Sequence, residues 1–500
     1  VIRRDLATAR TRTFDLVVIG GGIYGAALLQ QAARHGLTTC LCEAVDFGGG
    51  TSWNSLRILH GGLRYLQTLD LRRFFQSVSA RRWMAQTFPD LVRPLRCVMP
   101  LYGDGLKRRS IMRLALLVND GLSRGRNRGL ADRVQLNRSD VLDAATTQRD
   151  YPHLRADRLK GAGIWQDYFM LSSERILVEL LRDACRRGAV ALNYARVEDI
   201  LIDAGRVHGV AVEDGLSDER LTVRARAVVN CTGPRVCALA QRRGAVPEEL
   251  FRPSLAFNLL LDARLPGEAA LAVSAPQPKA QVLFLIPQKR GVLAGTMHLP
   301  RPAEMTDGQP TSEELDQCLA QLRAAVPGFD VNRASVLRVF AGLLPARAVG
   351  TAELAKREVL LDHGQSGGPK GFYSVSGVKY TTAHDVGAQA LRLMGVKVTG
   401  SDDGAELQTS SVTPLLTDCE RLWSEDTSTV RDALVKTADE EAVQCLDDLI
   451  LRRTNWATTE VDLERVRHRV RELAGTRLNL PISQSRDPGS GSPSLSGEAR

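Results

Sequence analysis

The sequence is poor in several features that would settle its class at once. Its 500 residues include only 8 histidines, and aromatic residues make up 5%. No run reaches the roughly 18 apolar residues that a bilayer-crossing helix needs. The best stretch, residues 14–29, is interrupted by Gly20, Gly21, Gly22 and Gly25, which argues against a membrane span. The nine cysteines form no C-x-x-C pair, which points to reduced thiols rather than a disulfide or zinc framework. No metal site is expected. Arg3, Arg4, Arg10 and Arg12 near the start are followed by no apolar segment with a small-residue cleavage site, so the expected location is the cytoplasm. With few aromatics and no stacking set among the basic stretches, a nucleic-acid partner is disfavoured. No pattern bears on oligomeric state.

What is present is an ordinary globular balance, 44% apolar and 25% charged, in a chain long enough for two or three domains. The net charge of +9 is uneven, because the last hundred residues hold 12 Lys/Arg against 19 Asp/Glu. The basic remainder suits an anionic partner, although ordinary solvated charge explains it equally well. Between residues 101 and 133, Lys107, Arg108, Arg109, Arg113, Arg124, Arg126, Arg128 and Arg133 alternate with Ile111, Met112, Leu114, Leu116 and Leu117. That pattern fits a helix lying on an anionic membrane, or one buried in the domain with its charges solvated.

The strongest local signal lies near the start. Residues 15–19 predict a strand, Ile23 to Arg34 a helix closed by Gly36, and Leu37 to Cys42 a second strand with Glu43 at its end. Between the first strand and the helix, Gly20, Gly22 and Gly25 form a G-x-G-x-x-G. In such a motif the first glycine permits a tight turn, the second lets a pyrophosphate approach and the third lets helix and strand pack closely. Glu43 is placed to accept from a ribose hydroxyl, and the helix N-terminus favours phosphate. A long Gly/Ser/His/Arg segment, Asp46–Arg64, follows. Two further strand-to-glycine turns occur at Asn230–Pro234 and Gly371–Lys379. Three separated turns suit FAD, a longer cofactor than NAD.

These pieces resemble the FAD-dependent glycerol-3-phosphate dehydrogenases, within the glycine oxidase/D-amino-acid oxidase superfamily. The resemblance rests on VVIGGGIYGAAL (17–28), LHGGLRYL (59–66), VVNCTGP (228–234), LAGT (293–296), GLLP (342–345), SGVKYTTA (376–383) and the helical segment 433–456. It implies an α/β fold with a Rossmann-type FAD-binding domain, an antiparallel-sheet substrate domain and a C-terminal helical domain. The oxidoreductase region is expected over 14–400. Within it, the FAD-binding domain is built from about 14–90, 155–245 and 340–400, and a substrate and membrane-facing domain from 91–154 and 246–339. The helical domain is expected over 405–478 and a disordered tail over 479–500.

By the same resemblance, Gly20, Gly22, Ile23, Gly25, Glu43, Thr51, Ser52, Arg57, His60, Gly61, Gly62, Gly233, Gly377, Lys379 and Thr381 line FAD, with Val197 at the adenine end. His60, Arg64 and Lys379 are the implied catalytic residues. Arg64, Lys379, Arg357, Arg347 and Asn258 are expected to meet the substrate. The implied reaction oxidises sn-glycerol 3-phosphate to dihydroxyacetone phosphate, with electrons passed to quinone at a membrane surface. Two departures stand out. The family's Gly-x-Arg-Pro reads Gly342-Leu343-Leu344-Pro345, leaving Arg347 as the nearest cation. The family's Gly-Ser-His falls near Pro253–Asn258, where there is no histidine. Asn258 does not titrate, so His60 and His298 remain as proton acceptors. A different polyol, 2-hydroxy acid or amine substrate, or a flavin-binding protein without catalysis, stays open.

Overall fold

The computed structural model describes every residue except 67, 104–107, 245, 278–279, 306–307, 399–406, 461, 479 and 483–500. The strands begin with β1 (Thr13–Ile19), β2 (Thr39–Cys42), β3 (Ile58–Leu59), β4 (Val92–Leu101), β5 (Asp140–Asp143) and β6 (Gly161–Met170). They continue with β7 (Val190–Leu192), β8 (Ala195–Asp203), β9 (Arg206–Asp214), β10 (Arg220–Asn230), β11 (Pro253–Leu261) and β12 (Ala270–Val273). The last are β13 (Leu283–Gln288), β14 (Gly291–Pro300), β15 (Val336–Pro345), β16 (Val359–Asp362) and β17 (Phe372–Ser376).

The first sheet runs β16-β17-β10-β1-β2-β7, with the β8–β9 hairpin attached to β10. β1 pairs in parallel with β10 on one side and β2 on the other. Such a strand is covered on both faces over its second half, which is why Leu16–Ile19 is continuously apolar rather than alternating. The helix Ile23–Arg34 starts at the carboxyl end of β1 with Gly22 as N-cap. Its small residues pack against the helices Ser173–Arg186 and Ala383–Leu393. Gly20 has φ +103°, and a Cβ on Gly25 would stand 1.9 Å from the Gly20 carbonyl oxygen. Helix and turn can therefore meet only because both positions are glycine.

The second sheet runs β15-β11-β14-β13-β12-β4-β6-β3, with β5 on β6. It is antiparallel except where β12 lies parallel to β4. The helix Ser312–Ala325 covers one face, through Leu315, Leu319 and Leu322 against Leu255 and Leu343. Three strands fall outside the expected partition. β3, β6 and most of β15 lie in segments assigned to FAD binding, yet all three belong to this sheet. β6 pairs with β4 from Val92↔Met170 to Leu101↔Gly161, and β15 pairs along β11. Register between distant segments decides membership, and local sequence carries no sign of it.

Near the C-terminus, the helices Thr427–Glu440, Leu446–Arg452 and Leu463–Ala474 enclose Leu434, Leu449, Trp456, Val466 and Val470. The expected boundary at 400–405 and the tail from 483 onward lie outside the described residues. Pro481 and Ile482, assigned to a disordered tail, are instead fixed. Their carbonyls accept from Leu446 N at 2.8 Å and Asp447 N at 3.0 Å, satisfying two free N–H groups at a helix start.

This helical region is fastened to the first sheet through buried charge. Asp46 accepts from Arg453 Nη1 at 2.7 Å and Nη2 at 2.9 Å, and from Arg452 Nε at 2.9 Å. Arg175 bridges Glu179 and Glu441, each at 2.6 Å. Burial pushes the Asp46 carboxyl up, but the two arginines outweigh it and hold it below the usual range. Removing one member of such a group strands its partners. Arg453→Met is expected to cost about 3–5 kcal/mol in urea unfolding of the holoprotein. Arg226→Met, which breaks the exposed pair with Asp15, should cost no more than about 1 kcal/mol.

Candidate active site

A cavity of about 1900 Å³ opens where the carboxyl ends of β1 and β10 face the second sheet. Ordinary ligand pockets hold about 300–1,000 Å³, so this one has room for a dinucleotide and a second molecule. Gly20, Gly22, Ile23, Glu43, Thr51 and Ser52 line one end. The Glu43 carboxylate accepts from Gly21 N at 2.5 Å and Val45 N at 3.0 Å, while burial raises its pKa. Ser52 Oγ accepts from Ile23 N at 2.9 Å, at the first turn of the helix. Gly22 itself supplies no capping side chain.

Further along lie His60, Gly62, Arg64, Gly233, Gly377, Lys379 and Thr381. Gly377 is needed because a Cβ there would enter the Tyr24 ring. The Tyr24 hydroxyl donates to Lys379 O at 2.7 Å and accepts from Lys379 N at 2.9 Å, holding the 376–379 turn. The Lys379 ammonium stands 4.3 Å from the centre of the Tyr65 ring and 3.4 Å from Ser77 Oγ. Neither Arg64 nor Lys379 has a carboxylate partner among the described residues, so both charges remain available to an anion.

His60 is the second feature of this region. Its Nδ1 lies 3.2 Å from Asp167 Oδ2, and its side chain is 53% exposed. Asp167 also accepts from Arg81 Nη1 at 2.7 Å, Trp165 Nε1 at 3.1 Å and Gly61 N at 2.8 Å. Burial raises the Asp167 pKa, but the His60 hydrogen bond and the Arg81 charge win and lower it to about 2. An ionised carboxylate only accepts, so His60 carries its proton on Nδ1 and leaves Nε2 as the accepting atom. His298 also lines the cavity, its pKa lowered to about 4 by burial and by Arg64.

Several expected site residues are placed otherwise. Arg347 forms an exposed pair with Glu353 at 3.1 Å and is not in the cavity wall. Two residues beyond Pro345, the chain has left β15. Arg357 is exposed and outside the wall, with its charge falling on Asp70. Arg57 does reach the wall, although its guanidinium is committed to Glu174 and Leu171 O. Val197 pairs with Val212 in the β8–β9 hairpin, away from the wall. Asn258 reaches the wall, but its Nδ2 donates to Asn54 O at 2.9 Å and its Oδ1 accepts from Thr296 Oγ1 at 2.8 Å. Its amide ties β11 to the 51–55 loop rather than to a substrate. Gly61 and Gly25 sit behind the wall, where added Cβ atoms would meet Arg81 and Gly20. Asp167 and Ser77 carry no sequence signal, and Tyr24 and Tyr65 stand inside the VVIGGGIYGAAL and LHGGLRYL motifs with no role readable there, because what each does depends on a partner far along the chain.

Residues 15–383 match the family model described as DAO, FAD dependent oxidoreductase. The chain belongs to that family. It is 31% identical over 348 residues to an alpha-glycerophosphate oxidase of Streptococcus pyogenes serotype M3, covering 69% of this chain and 56% of that protein. It is 27% identical over 342 residues to the aerobic glycerol-3-phosphate dehydrogenase of Bacillus subtilis, covering 68% and 60%. It thus spans little more than half the length of these curated relatives. The solved glycerol-3-phosphate dehydrogenase of Bacillus halodurans, complexed with FAD, superposes with a TM-score of 0.72 at 20% identity, over 94% of this chain and 93% of that one. A glycine oxidase of Geobacillus kaustophilus superposes at 0.55, which shares the fold alone.

The family's cofactor is FAD, and this chain fits it. The Gly20–Gly25 turn would fill with side chain were any of its close contacts not glycine, and the cavity continues from it to Lys379. Asp167 provides a test of the site's electrostatics. Its folded pKa is depressed below the unfolded value of 3.8, so its contribution to stability is complete above pH 3.8 and is lost as the pH falls toward 2. The stability gap between wild type and Asp167→Asn, measured by urea unfolding, is therefore expected to be wide at pH 6 and to close between pH 4 and 2.

Proposed function

We propose that the protein oxidises sn-glycerol 3-phosphate to dihydroxyacetone phosphate and passes the electrons to a membrane quinone. The observation that carries this reading is the His60–Asp167 pair facing the same cavity as the unpaired Arg64 and Lys379. FAD bound there would supply the acceptor for the hydride of an alcohol carbon. The protein's part is to hold the phosphate on Arg64 and Lys379 and to take the hydroxyl proton at His60 Nε2. Asp167 keeps the ring in the accepting tautomer and stabilises it once protonated. Arg81 and Trp165 keep Asp167 ionised and in place.

A second reading has its own support. Leu344 lines the cavity where the family pattern has arginine, and Arg347 is turned outward onto Glu353. One phosphate contact is therefore missing, which favours a polyol or 2-hydroxy acid with a smaller demand for positive charge. Anaerobic addition of sn-glycerol 3-phosphate to the yellow protein separates the two. Prompt bleaching of the flavin band is expected, with His60→Gln slowing it by about 10²–10⁴-fold. A band that stays oxidised with that substrate and bleaches with an uncharged polyol or a 2-hydroxy acid overturns the first reading.

For the acceptor side, the helix Arg109–Leu122 buries Met112 and Leu116 but leaves Leu114 63% and Leu117 65% exposed. Leu69, Leu71 and Phe75 are exposed as well. Leu69, Leu71, Ile111, Leu114 and Val118 also line the cavity. An apolar rim beside Arg109 and Arg113 suits a leaflet of anionic lipid from which quinone would enter. Lys107, part of the basic stretch, lies outside the described residues. No helix among the described residues is long and apolar enough to cross a membrane. Burying one leucine is worth about 1.5–3 kcal/mol. The double variant Leu117→Glu/Leu122→Glu is expected to bind phosphatidylglycerol vesicles at least about tenfold more weakly in a sedimentation assay. Unchanged binding overturns the assignment of this face.

A further inference from the structure

One charge in the cavity is unused by the chemistry above. Arg338 is on β15, opposite Leu260 of β11. Two residues on, Phe340 meets the Trp53 ring edge-on, with centroids 5.6 Å apart. Arg338 lines the cavity together with Trp53, Leu337, Leu451, Leu463 and Arg467. This places it at the seam between the second sheet and the C-terminal helices, where Trp53 touches the apolar cores of both.

The Arg338 guanidinium has no hydrogen bond or ion pair among the described residues, and its Nη1 is buried without a partner. Among the described residues, the one charged group acting on it is Arg467, of like sign. Arg467 is itself satisfied by Asp447 at 2.8 Å and by Glu464. Burial and Arg467 lower the Arg338 pKa to about 10, which leaves it protonated near neutrality. A half-buried cation whose Nη1 is sealed from solvent, in a wall shared with leucine and indole and with no counter-charge among the described residues, is costly. Such a group is usually either paired or reserved for a ligand.

Arg338 does not replace the arginine missing at Leu344. Six residues separate them along one strand, roughly 20 Å at strand rise. Gly342, between them, is pressed against Thr51, whose Cγ2 would lie 2.8 Å from an added Cβ. The 51–55 loop thus stands between the flavin side and this seam.

We infer that Arg338 anchors a second anion site, distinct from that of the oxidised substrate, which takes a small oxyanion, phosphate or carboxylate, at the seam between β15 and the C-terminal helices. Arg467 adds positive potential, its two carboxylates prevent it from closing on the ligand, and Trp53 forms a wall. The anion could arrive free or as the charged end of a molecule in the same cavity.

The experiment compares thermal melts and calorimetric titrations of the holoprotein, wild type, Arg338→Met and Arg338→Lys, in an oxyanion-free buffer. Without added anion, Arg338→Met is expected to melt higher than wild type, because an unpaired buried charge is gone. Inorganic phosphate or acetate should raise the wild type and Arg338→Lys more than Arg338→Met, which keeps only the Arg64–Lys379 site. Titrated phosphate should bind at two sites in the wild type and one in Arg338→Met. Saturating sn-glycerol 3-phosphate that removes one event and leaves the Arg338 event identifies a free anion. If it removes both, the charged end of a bound molecule is the source. Equal stabilisation of wild type and Arg338→Met by phosphate and acetate, no effect of either anion, or a lower melt for Arg338→Met overturns the inference. None of these outcomes depends on whether sn-glycerol 3-phosphate bleaches the flavin.

Discussion

Asp46 sits fully buried between two regions of the chain separated by four hundred residues, and most of the site hangs from it. Its carboxylate holds Arg452 and Arg453 of the C-terminal region, while Asn193 donates to its other side at 2.8 Å. Three residues earlier, Glu43 closes the glycine turn, and five and six residues later Thr51 and Ser52 face the cavity. A buried ion group of this kind contributes little net stability compared with apolar packing, but it tolerates no half-measures. Each charge has one low-energy arrangement, so the network sets where the helical region docks and where the 46–55 segment begins.

The chemistry uses the same economy at the opposite wall. Asp167 could be an ordinary buried carboxylate in an ion pair with Arg81. Because His60 is within reach, the same group also chooses the imidazole tautomer and so decides which nitrogen faces the cavity. Tyr24 does similar double duty, packing against Gly377 and bracketing Lys379 through both backbone atoms. Among the described residues, positive charge at Arg64 and Lys379 is left unpaired on the cavity side, while the Asp167 carboxylate in the same wall is spent on His60, Arg81 and Trp165. The field therefore favours an anionic ligand without cancelling within the protein.

The departures at Leu344 and Asn258 acquire different meanings once the packing is seen. Asn258 is a structural tie whose amide reaches Asn54 and Thr296. A histidine there could make neither pair of contacts in the same way. Leu344 remains on the cavity wall, and Arg347 leaves that wall with the chain after Pro345 to pair with Glu353.

Some of this was legible in the residues alone. The helix Ile23–Arg34, the strands β1 and β2 on either side of it in the chain and the crowding that requires Gly20 and Gly25 are set within a few residues of chain, where sterics and hydrophobic period leave few alternatives. The assignment of β3, β6 and β15 to the second sheet was not legible, and neither were the pairings of His60 with Asp167, Arg347 with Glu353 and Asp46 with Arg453. Except for Arg347 with Glu353, each joins side chains more than a hundred positions apart. Sequence determined the local backbone that cradles a dinucleotide, because glycine geometry is a short-range constraint. Tertiary structure decided which charges are spent on the protein and which stay free for a ligand, because that depends on strand register and on burial, which no short stretch of sequence contains.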